Sequence, residues 1–95
     1  MSAGFANMAA MPAISRFLGI VITMYFDDHP PPHFHARYSG QEAQIGIEPL
    51  ALLEGALPPR VLGSVFEWAA LHQEELAADW ELVSANQLPN PIEPL

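Results

Sequence analysis

The positions of the ten prolines limit where this chain of 95 residues can form regular secondary structure. Pro30, Pro31 and Pro32 are consecutive, and because proline has no backbone N–H to donate, they end any strand that precedes them. Pro58 and Pro59 suit the first turn of a helix, and no further proline interrupts the chain before Val83. The prolines therefore favour strands in the first half of the chain and a helix in the second.

Alternating polar and apolar residues predict three strands and a short fourth. In the first, Ile20, Ile22 and Met24 share the face expected to point into the core. Turn-forming residues such as Ser39-Gly40 separate the later strands, and hairpin connections favour an antiparallel meander. The predicted strands are Arg16–Asp27, His33–Tyr38, Gln41–Glu48 and the short Leu50–Glu54.

From Pro59 to about Val83 the apolar residues recur at three- and four-residue steps, which predicts one amphipathic helix of roughly six or seven turns. The predicted fold class is α+β: an antiparallel three- to four-stranded meander packed on one long C-terminal α-helix. We expect the helix to cover the sheet face that carries Ile22, Phe34 and Ile45.

A chain of this length supports one modest core. The domain prediction is accordingly a disordered leader over 1–10, a single α+β domain over 11–85 and an irregular tail over 86–95, where prolines and asparagines are frequent.

The charge balance restricts the partners. Eleven acidic residues against three basic ones give a formal net charge of −8, which argues against direct nucleic acid binding because such binding depends on Lys and Arg contacts to phosphate. An acidic surface instead favours a protein partner or self-association. The chain has no signal-like start and no apolar run of the ~18 residues that a membrane span needs, so we expect a cytoplasmic protein without a membrane anchor. The absence of cysteine excludes disulfides and thiolate sites but leaves the redox compartment open.

The candidate site lies directly after the proline triplet. On a strand, His33, His35 and Arg37 would project from one face, which we expect to be the face that the helix leaves uncovered, with Tyr25 nearby. These residues are candidates for catalysis, because histidine supplies an acid and a base near neutral pH and arginine binds phosphate or carboxylate. The alternative is that Arg37 pairs across strands with Glu42 or Glu48.

The same two histidines form a candidate metal site, since two imidazoles on one side of a strand can both reach Zn²⁺ or another divalent ion. His29 and Asp27 are the predicted additional ligands, and Asp28 and Glu48 are further candidates. The alternative is that both imidazoles bond to neighbours on a wet sheet face, and that the aspartates only form the turn.

The one histidine and the two tryptophans of the predicted helix favour structural roles. His72 follows Trp68 by one turn and is expected to pack on it, and Trp68 and Trp80 are expected to be core or interface anchors.

Four segments together resemble a small bacterial family, the domain of unknown function numbered four-one-six-zero. The segments are Met11–Phe17 (MPAISRF), Met24–His29 (MYFDDH), Pro31–Ala36 (PPHFHA) and Glu67–His72 (EWAALH), and the resemblance covers about residues 11 to 83. It implies no established activity. Members resemble toxin–antitoxin components in size and often neighbour another small domain of unknown function, which implies a two-protein module. The chain departs from the family's usual charge at Pro49-Leu50-Ala51 and in its tail.

Two hypotheses follow. The first is an interaction or regulatory module, such as one component of a toxin–antitoxin-like pair. The second is a metal-dependent or His/Arg-based hydrolase that acts on a phosphodiester or another small anionic substrate through the face carrying His33, His35 and Arg37.

Overall fold

Five antiparallel strands form one sheet in the computed structural model, which describes residues 12–26 and 28–95. The spatial order of the strands follows their order in the chain, so the predicted α+β class and antiparallel meander are confirmed. The strands are β1 (Ala13–Phe17), β2 (Ile20–Thr23), β3 (His33–Tyr38), β4 (Gln41–Ile47) and β5 (Leu50–Gly55).

The prediction of three to four strands is wrong because the expected first strand is two strands. Leu18 and Gly19 form a two-residue turn with φ of 54° and 77°, and this turn pairs Phe17 with Ile20. Positive φ at both central residues matches the twist of a tight hairpin, but leucine rarely adopts it. Leu-Gly therefore gave no turn signal, whereas the predicted Ser39-Gly40 turn has φ of 50° and 82° and is confirmed.

The predicted single helix is also two helices, α1 (Pro59–Leu71) and α2 (Gln73–Ser84). The helix path breaks at His72, whose φ of −125° lies outside the helical range. The Gln73 side chain donates a hydrogen bond of 2.6 Å to the Ile47 carbonyl, which attaches the start of α2 to the end of β4. His72 packs on Trp68 as predicted, with ring centroids 5.6 Å apart.

The core lies between the helices and the predicted sheet face. Ile22, Phe34 and Ile45 are fully buried there, and the Trp68 ring of α1 meets the Phe34 ring edge-on at 5.8 Å between centroids. Trp80 of α2 is also buried, so both tryptophans are core residues as predicted.

The segment 86–95 contains no helix or strand, but it is bound to the domain. Ile92 is buried, and its N–H donates to the Ile14 carbonyl of β1 at 2.8 Å. The Trp68 indole N–H donates to the Glu93 carbonyl at 2.8 Å. The predicted leader over 1–10 lies outside the described residues. Among the helices of the described residues, none has the length and apolar character needed to cross a membrane.

Candidate metal centre

The two histidines of β3 project from the sheet face opposite Phe34. Their ring centroids are 5.1 Å apart, which confirms the prediction that His33 and His35 share one side of the strand. In the sheet, His35 lies between Thr23 of β2 and Gln44 of β4. Strands on both sides therefore fix the backbone of His35, and β4 fixes that of His33 through Gly46.

The prediction that this face is uncovered is wrong at the histidines, because His33 and His35 are only 3% and 5% exposed. The connection between β2 and β3 folds back over them. Its Tyr25 ring stacks on His35 with centroids 4.0 Å apart and planes at 15°, and Trp80 of α2 lies 5.2 Å from the His33 ring. The imidazoles thus lie in a small covered site at the end of the sheet.

Asp28, on the same connection, joins the two rings. Its Oδ2 is 2.9 Å from His33 Nε2 and 3.1 Å from His35 Nε2. One ligand atom from each of these three residues lies within 4.8 Å of the other two, so the group could hold a metal ion. Asp28 remains partly exposed, so the site is open to solvent on the carboxylate side.

The other ring nitrogens face acceptors. His33 Nδ1 is 2.8 Å from the Pro31 carbonyl oxygen, and His35 Nδ1 is 2.8 Å from Glu42 Oε2. Carbonyl oxygens and ionised carboxylates can only accept hydrogen bonds. Each Nδ1 must therefore carry a proton. This is the arrangement that metal-binding histidines usually have, with the outer N–H given to a carbonyl or carboxylate.

That tautomer has an electrostatic consequence at the centre of the group. When Nδ1 carries the only proton of a neutral imidazole, Nε2 presents a lone pair, and both Nε2 atoms then face the acceptor Oδ2 of Asp28. One proton on the carboxyl could satisfy only one of them. The arrangement becomes fully attractive when positive charge lies between the three atoms, supplied by a proton on each ring or by one metal ion.

The pKa shifts near the site have identifiable causes. For Asp28, burial raises the pKa of the carboxyl, but when both rings are protonated the hydrogen bond from His35, the charge of His33 and the His29 backbone N–H outweigh it and hold the pKa below its ordinary value. Burial raises the pKa of the Tyr25 hydroxyl, and the Glu42 charge and hydrogen bond raise it further, against the opposing charge of Arg37. Asp28 is therefore ionised and Tyr25 protonated at neutral pH.

The structure brings only some of the predicted residues together. His29 is exposed, its ring Nδ1 lies 3.9 Å from Asp28 Oδ1, and it is not part of the three-residue group. Asp27 lies outside the described residues. Arg37 is exposed and stands opposite Glu42 in the sheet register, but it forms no ion pair within the described part of the chain, where the Glu42 carboxylate is bound to His35 instead. Glu48 is exposed and not in the group.

Sequence reasoning missed two contributors. Glu42 was considered only as a partner for Arg37, although its side chain also accepts a hydrogen bond of 3.4 Å from the Tyr25 hydroxyl. Trp80 was expected as a core or interface anchor and not beside the histidines. The register of β3 and β4 could have indicated Glu42. Glu42 lies opposite Arg37, and Arg37 shares a strand face with His35, so Glu42 is on the histidine face. No sequence signal brings Trp80 to His33, because the contact joins α2 to β3, which are far apart in the chain.

The donor set suits a borderline divalent ion. Two imidazole nitrogens with one carboxylate oxygen match catalytic zinc sites, which have three protein ligands and an open position, and also non-haem iron(II) sites.

Comparison with known proteins gives one match. The model of the family described as "Domain of unknown function (DUF4160)" matches residues 19–81, which include all five residues of the site: Tyr25, Asp28, His33, His35 and Glu42. No curated protein and no solved structure matches the chain. Because the family model spans most of the sequence, the chain belongs to the DUF4160 family.

Proposed function

We propose that Asp28, His33 and His35 bind one divalent metal ion, with zinc as the first candidate. The observation that carries this proposal is the convergence of both Nε2 atoms on Asp28 Oδ2, at 2.9 and 3.1 Å, while both Nδ1 atoms donate outward. A metal ion would supply the positive charge that two lone pairs and a carboxylate require. The buried rings and their bonded outer nitrogens would need little rearrangement on binding.

The reaction that this site supports best is hydrolysis of a phosphodiester or another small anionic substrate. With three protein ligands, a bound metal keeps a position for water or substrate and supplies Lewis-acid chemistry. Arg37, on the same face two residues after His35, would bind the substrate's negative charge. Tyr25 and Glu42 would hold the His35 ring in place by stacking and by the hydrogen bond to Nδ1.

The test is the metal content of protein purified without a histidine tag, followed by zinc addition. We expect about one equivalent of metal and a rise in thermal stability with Zn²⁺, since a ligand at a hundred times its Kd adds about 2.7 kcal/mol. His33→Ala, His35→Ala and Asp28→Asn should lose both effects. His29→Ala removes a neighbouring exposed imidazole and is the matched control. No metal and no stabilisation in the parent protein would refute the proposal.

The interaction module, including one component of a toxin–antitoxin-like pair acting in the cytoplasm, is a second candidate. The exposed leucines of β5 together with the net charge of −8 favour it. Co-expression with the product of the adjacent gene tests it directly. A complex that persists through size-exclusion chromatography would support the module, and two separate peaks would count against it.

A further inference from the structure

The two edges of the sheet differ in how they are protected. At the β1 edge, the segment 86–95 lies alongside, and the Ile92 N–H donates to the Ile14 carbonyl. At the other edge, β5 pairs with β4 on one side, and no described strand lies on its outer side. An edge strand presents alternate backbone N–H and C=O groups that can pair with another chain.

The side chains of β5 do not discourage such pairing. Leu52 and Leu53 are 43% and 44% exposed, and they project towards different faces. Leu52 is in register with the core residue Ile45, whereas the Leu53 methyl groups lie 3.5 Å from the position that a Cβ on Gly46 would occupy, next to the histidine face. Leu50–Gly55 contains neither lysine nor proline, the residues that commonly guard an edge.

Charge decides which occupant fits this edge. No basic residue occurs between Arg37 and Arg60, while Glu48 and Glu54 flank the leucines and are both exposed. A second copy of the chain would bring glutamates and two net charges of −8 together. A partner with lysine or arginine beside apolar residues would complement both the charge and the leucines.

We propose that β5 docks an extended segment of a partner protein, rich in basic and apolar residues, as a sixth strand of the sheet. The proposal rests on the interaction function above and not on the metal centre. Leu53 is the extra residue of a bulge opposite Gln44 and Ile45, so regular pairing is short and the side chains supply much of the specificity.

The experiment uses a short fluorescent peptide of alternating leucine and lysine as the probe. We expect saturable binding that is lost when alternate peptide nitrogens are methylated, because methylation removes the backbone donors, and lost when lysine is replaced by glutamate. The double variant Leu52→Thr, Leu53→Thr keeps the charge and should weaken binding about tenfold or more. Leu88→Thr, at an exposed leucine of the tail, is the matched control and should change nothing.

Three results would overturn the proposal. These are no binding, equal binding of the methylated peptide, and equal binding by the Leu52/Leu53 double variant. Concentration-dependent dimerisation in sedimentation experiments, abolished by the same double variant, would assign the edge to a second copy instead. Zinc stabilisation is measured on every variant, so a failure at β5 is distinguishable from a failure of the metal centre.

Discussion

Replacing Glu42 by glutamine tests whether the groups around the histidines are arranged for a metal ion. Glu42 Oε2 lies 2.8 Å from His35 Nδ1 and does not itself touch the proposed ion, so the substitution changes only the support of one ligand. Glutamine keeps an oxygen that can accept the N–H, but it removes the negative charge that makes the imidazole a stronger donor to metal.

The magnitude follows from the geometry. Losing such a supporting partner typically lowers metal affinity about 10- to 100-fold. The Glu42 side chain is 38% exposed, so solvent screens part of its charge, and the lower end applies. We therefore expect zinc to bind Glu42→Gln about tenfold more weakly, which corresponds to about 1.4 kcal/mol.

The assay is competition for zinc against a chromophoric chelator of known affinity at neutral pH. Glu48→Gln is the matched control, because it removes the same charge from an exposed glutamate outside the site. If the two variants bind zinc equally well, the hydrogen bond between Glu42 and His35 does not support a metal ligand.

Three further predictions concern stability and can be checked by urea denaturation. Burial raises the pKa of Asp79, and its Oδ2 has no hydrogen-bond partner within the described residues while Oδ1 accepts the Asn90 N–H. A raised folded-state pKa means that stability is lost as pH rises through it, so Asp79→Asn should match the parent in acid and exceed it at neutral pH; a constant difference across pH would contradict this. Gly55→Ala should lower the free energy of unfolding by more than about 2 kcal/mol, because φ is 84° and a Cβ would lie 2.2 Å from the Glu42 carbonyl oxygen. An unchanged free energy of unfolding would show that the backbone relaxes to relieve this contact. Leu18→Asn should raise the free energy of unfolding by up to about 1 kcal/mol, since asparagine tolerates the φ of 54° better than leucine. A decrease would mean that the leucine side chain is needed at the turn.

Local patterns predicted the parts of the fold that depend on neighbouring residues. Alternation over His33–Tyr38 placed both imidazoles on one face, and Ser39-Gly40 gave the turn that sets the register with β4. The turn at Leu18-Gly19 was not predicted because leucine rarely adopts the positive φ that this turn between β1 and β2 has. The break at His72 was not predicted because apolar periodicity continues on both sides of it.

The types of ligand in the site were predictable from the sequence, but the choice of Asp28 and the burial of the two imidazoles were not. Spacing along the chain indicated an HxH pair and offered four candidates for a third ligand. It could not choose Asp28, because that choice depends on how the connection after β2 folds back over the sheet. Burial of the rings depends on Tyr25 from that connection and on Trp80 from α2, which are distant in sequence from each other.

The X-ray absorption spectrum of the zinc-loaded, tag-free protein reports the zinc ligands themselves. We expect two imidazole nitrogens and at least one oxygen at about 2.0–2.2 Å from zinc. His35→Ala should reduce the imidazole scattering, and His29→Ala should leave it unchanged. A shell of oxygen alone, or a spectrum that does not change in His35→Ala, would contradict the assignment of the metal to Asp28, His33 and His35.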